Sequence, residues 1–239
     1  DAISALMNKG EKSSQAQSKL EEVVHRLGGP NSKSGTVVIA MSGGVDSSVL
    51  PAILTRLGFD CIGVHMQFWS DDKFDPTELD ESDKFPENKC CSLESLEHAR
   101  EIAHKYGMPF YVLNTRDTFK KNIVDYFVEE FSMGVTPNPC IECNRSIKFG
   151  YLIDKMKELG ADFIATGHYV KNEIVTEPDG QTRFALKMAT DKMKDQSYFL
   201  YTVTQDKLKY CIFPLADISK DEIRQIAEAE GLLKVAKKK

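Results

Sequence analysis

The stretch VVIAMSGGVDSSVL, residues 37–50, sets an apolar run directly against a glycine pair and then a Ser- and Asp-rich helix start. Three β-branched residues and an alanine in succession suit a strand buried on both faces. Gly43 and Gly44 allow a tight turn with bare amides, and the first turn of the helix that follows offers unpaired N–H donors and a partial positive charge to an anion. In a doubly wound sheet the first strand-to-helix turn is the usual seat for phosphate. Ser42, Ser47 and Ser48 add hydroxyls. Asp46 is the odd member, because a carboxylate repels phosphate unless it caps the helix or shares a metal ion such as Mg²⁺; both roles are open. Pro51 falls inside the expected helix and predicts a kink or a short first turn.

Downstream, apolar runs alternate with helical patterns. TVVIAM precedes a helix from about 46 to 57, CIGVHM a helix across 92–106, and PFYVLN a helix near 117–132; DFIAT follows a further helix. That alternation predicts a doubly wound parallel α/β sheet, Rossmann-like, covered on both faces. VKNEIVTEPDGQTRFALKMA predicts a β-hairpin turning at EPDGQT, since Pro, Asp and Gly supply fixed and then positive φ. Helices are expected near 196–204 and over 219–231. Apolar spacing at Leu20, Val23, Val24 and Leu27 predicts a short amphipathic helix, and GGPNSKSG at 28–35 breaks it. The chain thus divides into an extension and linker (1–35), a nucleotide-binding domain (36–190) and a helical segment (191–239). Residues 67–89, acidic and Pro-containing, read as a long surface loop after the second strand.

With 31 basic and 36 acidic residues the net charge of -5 argues against a protein that coats nucleic acid non-specifically. No run approaches the roughly 20 apolar residues of a membrane-spanning helix. Six cysteines are too few for a disulfide scaffold at 239 residues, which points to a reducing compartment, the cytoplasm or an organellar matrix. Cys61 and Cys211 sit in apolar runs and are expected to be buried, while Cys90 and Cys91 end a loop. In TPNPCIECNRSIKFG, Pro137 and Pro139 are expected to exclude regular structure around Asn138, leaving Cys143 exposed beside the cation of Arg145, which favours its thiolate.

The order strand, SGG, any residue, DS, helix is neither a Walker A loop nor a dinucleotide fingerprint. It resembles the SGGxDS loop of the ATP pyrophosphatase superfamily, whose adenine nucleotide alpha hydrolase-like fold binds the pyrophosphate portion of ATP. With MSGGVDSS, TPNPCIECN, ATGHY and KDQSYFLY in order, the chain resembles the tRNA-specific 2-thiouridylases over residues 36–239. The resemblance implies ATP-dependent, Mg²⁺-assisted thiolation of C2 of the wobble uridine through an adenylated intermediate. It assigns ATP to Ala40, Met41, Ser42, Gly43, Gly44, Val45, Asp46 and Ser47, with Met66 and Gly167. It assigns tRNA and the target base to Asn138, Pro139, Cys140, His168, Lys194, Asp195 and Gln196, and catalysis to Cys143. It also implies a persulfide donor protein, a cysteine desulfurase or a relay protein, as partner. Plainer readings stand beside these: His168 as a hydrogen-bonded residue at a strand end, Met66 as core, KDQSYFLY as an amphipathic helix.

Cys140 departs from the family pattern, where many members carry Asp. Cys140-x-x-Cys143 is compatible with a redox disulfide, two zinc ligands, or part of an iron–sulfur cluster with one further cysteine. The chain ends at KKK, short of the family's downstream GICF segment, whose cysteine carries the persulfide and pairs with the Cys143 position in a disulfide; the expectation is a fragment that binds ATP and thiolates tRNA poorly or not at all. Two rival functions share the loop: a synthetase or amidotransferase acting on a small molecule, and a nucleotide-binding or sulfur-carrier module serving a partner chain.

Overall fold

The computed structural model describes residues 17–68 and 93–232; Cys90, Cys91 and most of the expected 67–89 loop lie outside them. Five strands, β1 (Thr36–Ala40), β2 (Asp60–Gln67), β3 (Phe110–Asn114), β4 (Phe163–Ala165) and β7 (Cys211–Ile212), form one sheet, and β5 (Val170–Thr176) pairs with β6 (Thr182–Met188) in a separate hairpin. The five run parallel in the order β3-β2-β1-β4-β7. The chain steps outward from β1 to β2 and β3, then returns to place β4 on the other side of β1. The carboxyl ends of β1 and β4 therefore diverge at a topological switch point, where open α/β sheets leave a crevice.

Alternation along β1 builds two cores. Val37 and Ile39 face a layer formed by helices α1 (17–26), α3 (Leu50–Leu57), α4 (Leu93–Lys105) and α10 (Lys220–Ala229). Val38 faces the opposite layer, where Ile147, Phe149 and Leu152 pack with Ile164 and Val170; the split follows the two-residue period of a strand. Leu20, Val23 and Val24 of α1 are fully buried in the first core, so the folded unit starts before Thr36, earlier than the glycine-rich break suggests.

The expected helix of 46–57 divides at Val49 into α2 (Val45–Ser48) and α3, with Pro51 in the first turn of α3, where its missing N–H is not needed. The helical expectation for 196–204 is corrected. Only Ser197–Leu200 is helical, as a single 3₁₀ turn, because the Asp195 carboxylate accepts from both Ser197 N and Oγ and from Ala189 N, which ties the segment to the hairpin's end. The expectation that prolines bar regular structure around Asn138 is also overturned. Pro139 opens α7 (Pro139–Cys143), and the helix continues through a π-helical stretch (Asn144–Tyr151) into α8 (Leu152–Glu158). Proline's fixed φ suits the first helical position, and the Asn138 side chain caps it by accepting from Cys140 N and Ile141 N at 3.1 and 3.3 Å.

Candidate nucleotide site

The glycine turn is built around one close approach. Gly43 has φ +72°, and a Cβ there would lie 2.4 Å from Ser95 O and 2.6 Å from Ser95 Cα, so α4 packs directly on its backbone. Gly44, at φ -86°, is ordinary and serves as the N-cap of α2. The serines divide their work. Ser47 Oγ accepts from Ser42 N at 3.1 Å and donates to Gly44 O, and Ser48 Oγ donates to Gly44 O at 2.8 Å. These hydroxyls hold the loop's shape, and Ser48 is buried.

Beside the loop lies a cavity of about 330 Å³ at the carboxyl ends of β1, β2 and β4. Its lining includes Ala40, Met41, Ser42, Asp46, Ser47, Met66, Gly167, His168, Lys194 and Gln196, which the sequence singles out. Gly167 packs closely: a Cβ there would come within 3.2 Å of Asp46 and of Ser47 N, so the loop after β4 rests on the glycine turn. Gly43, Gly44 and Val45 belong to the turn that borders the cavity without being among its lining residues, and Asp195 serves as the turn cap described above.

Sequence reasoning missed His65, Phe68, Lys148, Thr166, Tyr169 and Lys220, which also line the cavity. Three lysines, Lys148, Lys194 and Lys220, thus converge from three separate segments. Lys148 and Lys194 carry no ion pair among the described residues. Lys220 Nζ donates to both Asp46 oxygens at 2.6 and 2.7 Å, and Tyr169 OH donates to Asp46 Oδ1 at 2.7 Å. Asp46 therefore does not cap α2. It is the only acid among the lining residues. A divalent cation here would be held mainly by phosphate oxygens and water, as Mg²⁺ favours, with the Asp46 carboxylate, whose oxygens already accept from Lys220 and Tyr169, beside it.

Two histidines sit at the floor. His65 Nδ1 lies 2.8 Å from Met41 O, and burial lowers its pKa. His168 is 7 % exposed, its Nδ1 lies 2.7 Å from Thr166 Oγ1, and it packs against Phe149 and Phe213. Burial first, and the Lys148 charge second, hold its pKa well below the ordinary histidine value, so the ring stays neutral. His168 thus lies at the cavity floor as a buried, hydrogen-bonded ring.

Cys140 is exposed and Cys143 half-buried against the second core. Neither lines the cavity, and neither do Asn138 and Pro139. Arg145 pairs its guanidinium with Glu142 at 2.7–2.8 Å. The helix they begin does reach the site: it contributes Lys148, and Asn144 Nδ2 donates to Phe199 O at 3.0 Å, joining it to the segment that carries Lys194 and Gln196. Gln196 in turn exchanges two hydrogen bonds with the Tyr169 backbone. Among the described residues no three His, Cys, Asp or Glu side chains gather as a metal site, so the expected cluster finds no third ligand there; Cys61 and Cys211 are buried, as expected. No helix among the described residues is long and apolar enough to cross a membrane.

Residues 35–239 match the family described as the tRNA methyl transferase HUP domain. The tRNA-specific 2-thiouridylase MnmA of Clostridium perfringens is 50% identical over 196 residues, covering 82% of this chain and 51% of that protein. Its counterpart from Clostridioides difficile is 45% identical over the same shares. The chain thus spans about half the length of these relatives. Among solved structures, the U34-tRNA thiolase NcsA of Methanococcus maripaludis, described with its [4Fe-4S] cluster, superposes with a TM-score of 0.54 at 18% identity, covering 92% of this chain and 65% of that one, a likeness of fold.

Proposed function

The chain belongs to the tRNA methyl transferase HUP domain family, and on that premise we propose that it is the nucleotide-binding part of an ATP-dependent tRNA 2-thiouridylase. One observation carries the reading: Lys148, on the helix begun by Cys140 and Cys143, lines the same cavity as Ser42 and Ser47 of the glycine turn. A phosphate-binding turn and a thiol-bearing helix then serve one reaction, which favours thiolation, the activity in the relatives' names, over the methyl transfer in the family's description.

In this reading the phosphates of ATP lie against the 42–47 turn, where backbone amides and three lysines offset their charge without rearrangement. Mg²⁺, when bound, neutralises further phosphate charge beside Asp46. The C2 oxygen of the target uridine attacks the α-phosphorus and pyrophosphate leaves with the bonding electrons, which makes that oxygen part of a good leaving group. The terminal sulfur of a persulfide, delivered from a sulfur-donor protein, attacks C2 and AMP departs. The Cys143 thiolate then attacks the carrier cysteine's sulfur, a disulfide forms between the two cysteines, and the thiouridine is released; a thiol reductant restores the pair. The neutral His168 and His65 keep the floor free of a charge that a proton would bring.

Mixing the chain with ATP, unmodified tRNA and a persulfide donor, and measuring pyrophosphate release and ATP affinity, tests the reading. Pyrophosphate release is expected to require tRNA and to persist in Cys143→Ser with ATP affinity unchanged, because adenylation precedes the step that uses the thiol, while the weak thiouridine formation expected of this half-length chain is lost. Pyrophosphate release with a small carboxylate and no tRNA, unaffected by Cys143→Ser, would instead establish a synthetase.

A further inference from the structure

Lys220 belongs to neither the glycine turn nor the thiol helix, yet it lines the cavity from the start of α10. Its placement is fixed from several directions. Ser219 and Glu222 form a capping box around the helix start, and Lys220 N donates to Asp191 Oδ2 at 3.1 Å. Farther along, Glu222 pairs with Arg26 at 2.8 Å and Lys19 at 3.0 Å, and Glu230 pairs with Arg56 at 2.9 Å. The side chain is 18 % exposed and bridges both oxygens of Asp46, which Tyr169 also holds. An ammonium has three donors. Two are directed to Asp46, and the third has no acceptor among the described residues.

We propose that Lys220 is a phosphate-binding residue of the nucleotide site, positioned by Asp46 and Tyr169, so that α10 is a working wall of the cavity and not merely a covering helix. The proposal rests on the nucleotide reading above and deepens it. Its chemistry is that of a fixed cation facing the pyrophosphate portion of a nucleoside triphosphate. Asp46 holds the ammonium in place without ligand, so little side-chain entropy remains to be lost on binding.

A plain alternative is that Lys220 merely neutralises Asp46, which would otherwise repel phosphate. Calorimetric titration of the purified chain with ATP, inorganic pyrophosphate and adenosine, in the presence and absence of Mg²⁺, separates the two. Lys220→Met is expected to weaken ATP and pyrophosphate about tenfold to a hundredfold, the scale of a lost charged hydrogen bond, and to leave adenosine unchanged. The double variant Asp46→Asn, Lys220→Met removes both charges; direct phosphate contact predicts that it stays weak, and recovery of wild-type pyrophosphate affinity would overturn the proposal. Wild-type pyrophosphate affinity in Lys220→Met would overturn it as well. Lys220→Gln, which retains a donor toward Asp46, supplies a second variant should the methionine form not fold, with the same loss expected. A wild-type chain that binds neither ATP nor pyrophosphate brings down the nucleotide reading and this proposal together, a result distinct from a silent Lys220.

Discussion

Two adjacent glycines with the same letter in the sequence have different physical duties. Gly43 combines φ +72° with a backbone contact that leaves no room for a methyl group; Gly43→Ala is expected to destabilise the fold by about 2 kcal/mol or more, combining left-handed strain with overpacking. For Gly44 the nearest atom to a Cβ is Ser42 Oγ at 3.6 Å, and Gly44→Ala is expected to cost under about 1 kcal/mol. Urea denaturation of the two variants checks the contrast, and equal losses would contradict it. The thiols divide as sharply. Burial pushes Cys61 and Cys211 up to about 12, with Asp60 adding to the rise at Cys61 and Lys207 opposing it at Cys211. Brief alkylation at neutral pH is therefore expected to label the exposed Cys140 while sparing both, as read by peptide mass spectrometry.

The thiol-bearing helix shows how an element escapes a sequence reading. Two prolines in four residues look like a break, but Pro139 occupies the first helical position and Asn138 the cap, so TPNPC is a start signal. Asn138→Ala is expected to lower stability by about 1 kcal/mol and to speed labelling of Cys140, whereas Pro139→Ala should change both little. The opposite error occurred at 196–204, where an amphipathic pattern is outcompeted by the Asp195 carboxylate capturing the backbone. β7 is two residues long and has no periodicity to detect. By contrast the strands β1 to β4 and the helices between β1 and β3 were legible because apolar run length and glycine punctuation agree there. The junction of α1 with α10 carries a pH signature. Burial alone raises Glu222, but Arg26, the Ser219 backbone and Lys19 outweigh it and hold the carboxyl at about 2. A depressed carboxyl stabilises fully above its unfolded value near 4.5 and loses that contribution as pH falls toward 2. Glu222→Gln is expected to flatten the acid limb of the stability curve between those limits, measured by thermal melts across pH.

For the molecule as a whole, topology gathers what the sequence scatters. The strand order places β1 beside β4, and only that adjacency brings Asp46, Tyr169 and Lys220 together across 174 positions of chain. The glycine turn and Gly167 were legible as motifs; Lys148, Tyr169 and Lys220 were not, because a lysine in a helix and a tyrosine at a strand end carry no local mark of the cavity they face. The central claim is that this switch-point cavity holds the phosphates of ATP against the 42–47 turn. Backbone amide spectra of isotope-labelled protein titrated with ATP test it most directly. The account predicts saturable shifts at Ser42, Gly43, Gly44 and Gly167, reproduced by pyrophosphate at the turn. Shifts confined to residues distant from the carboxyl ends of β1 and β4 would contradict it.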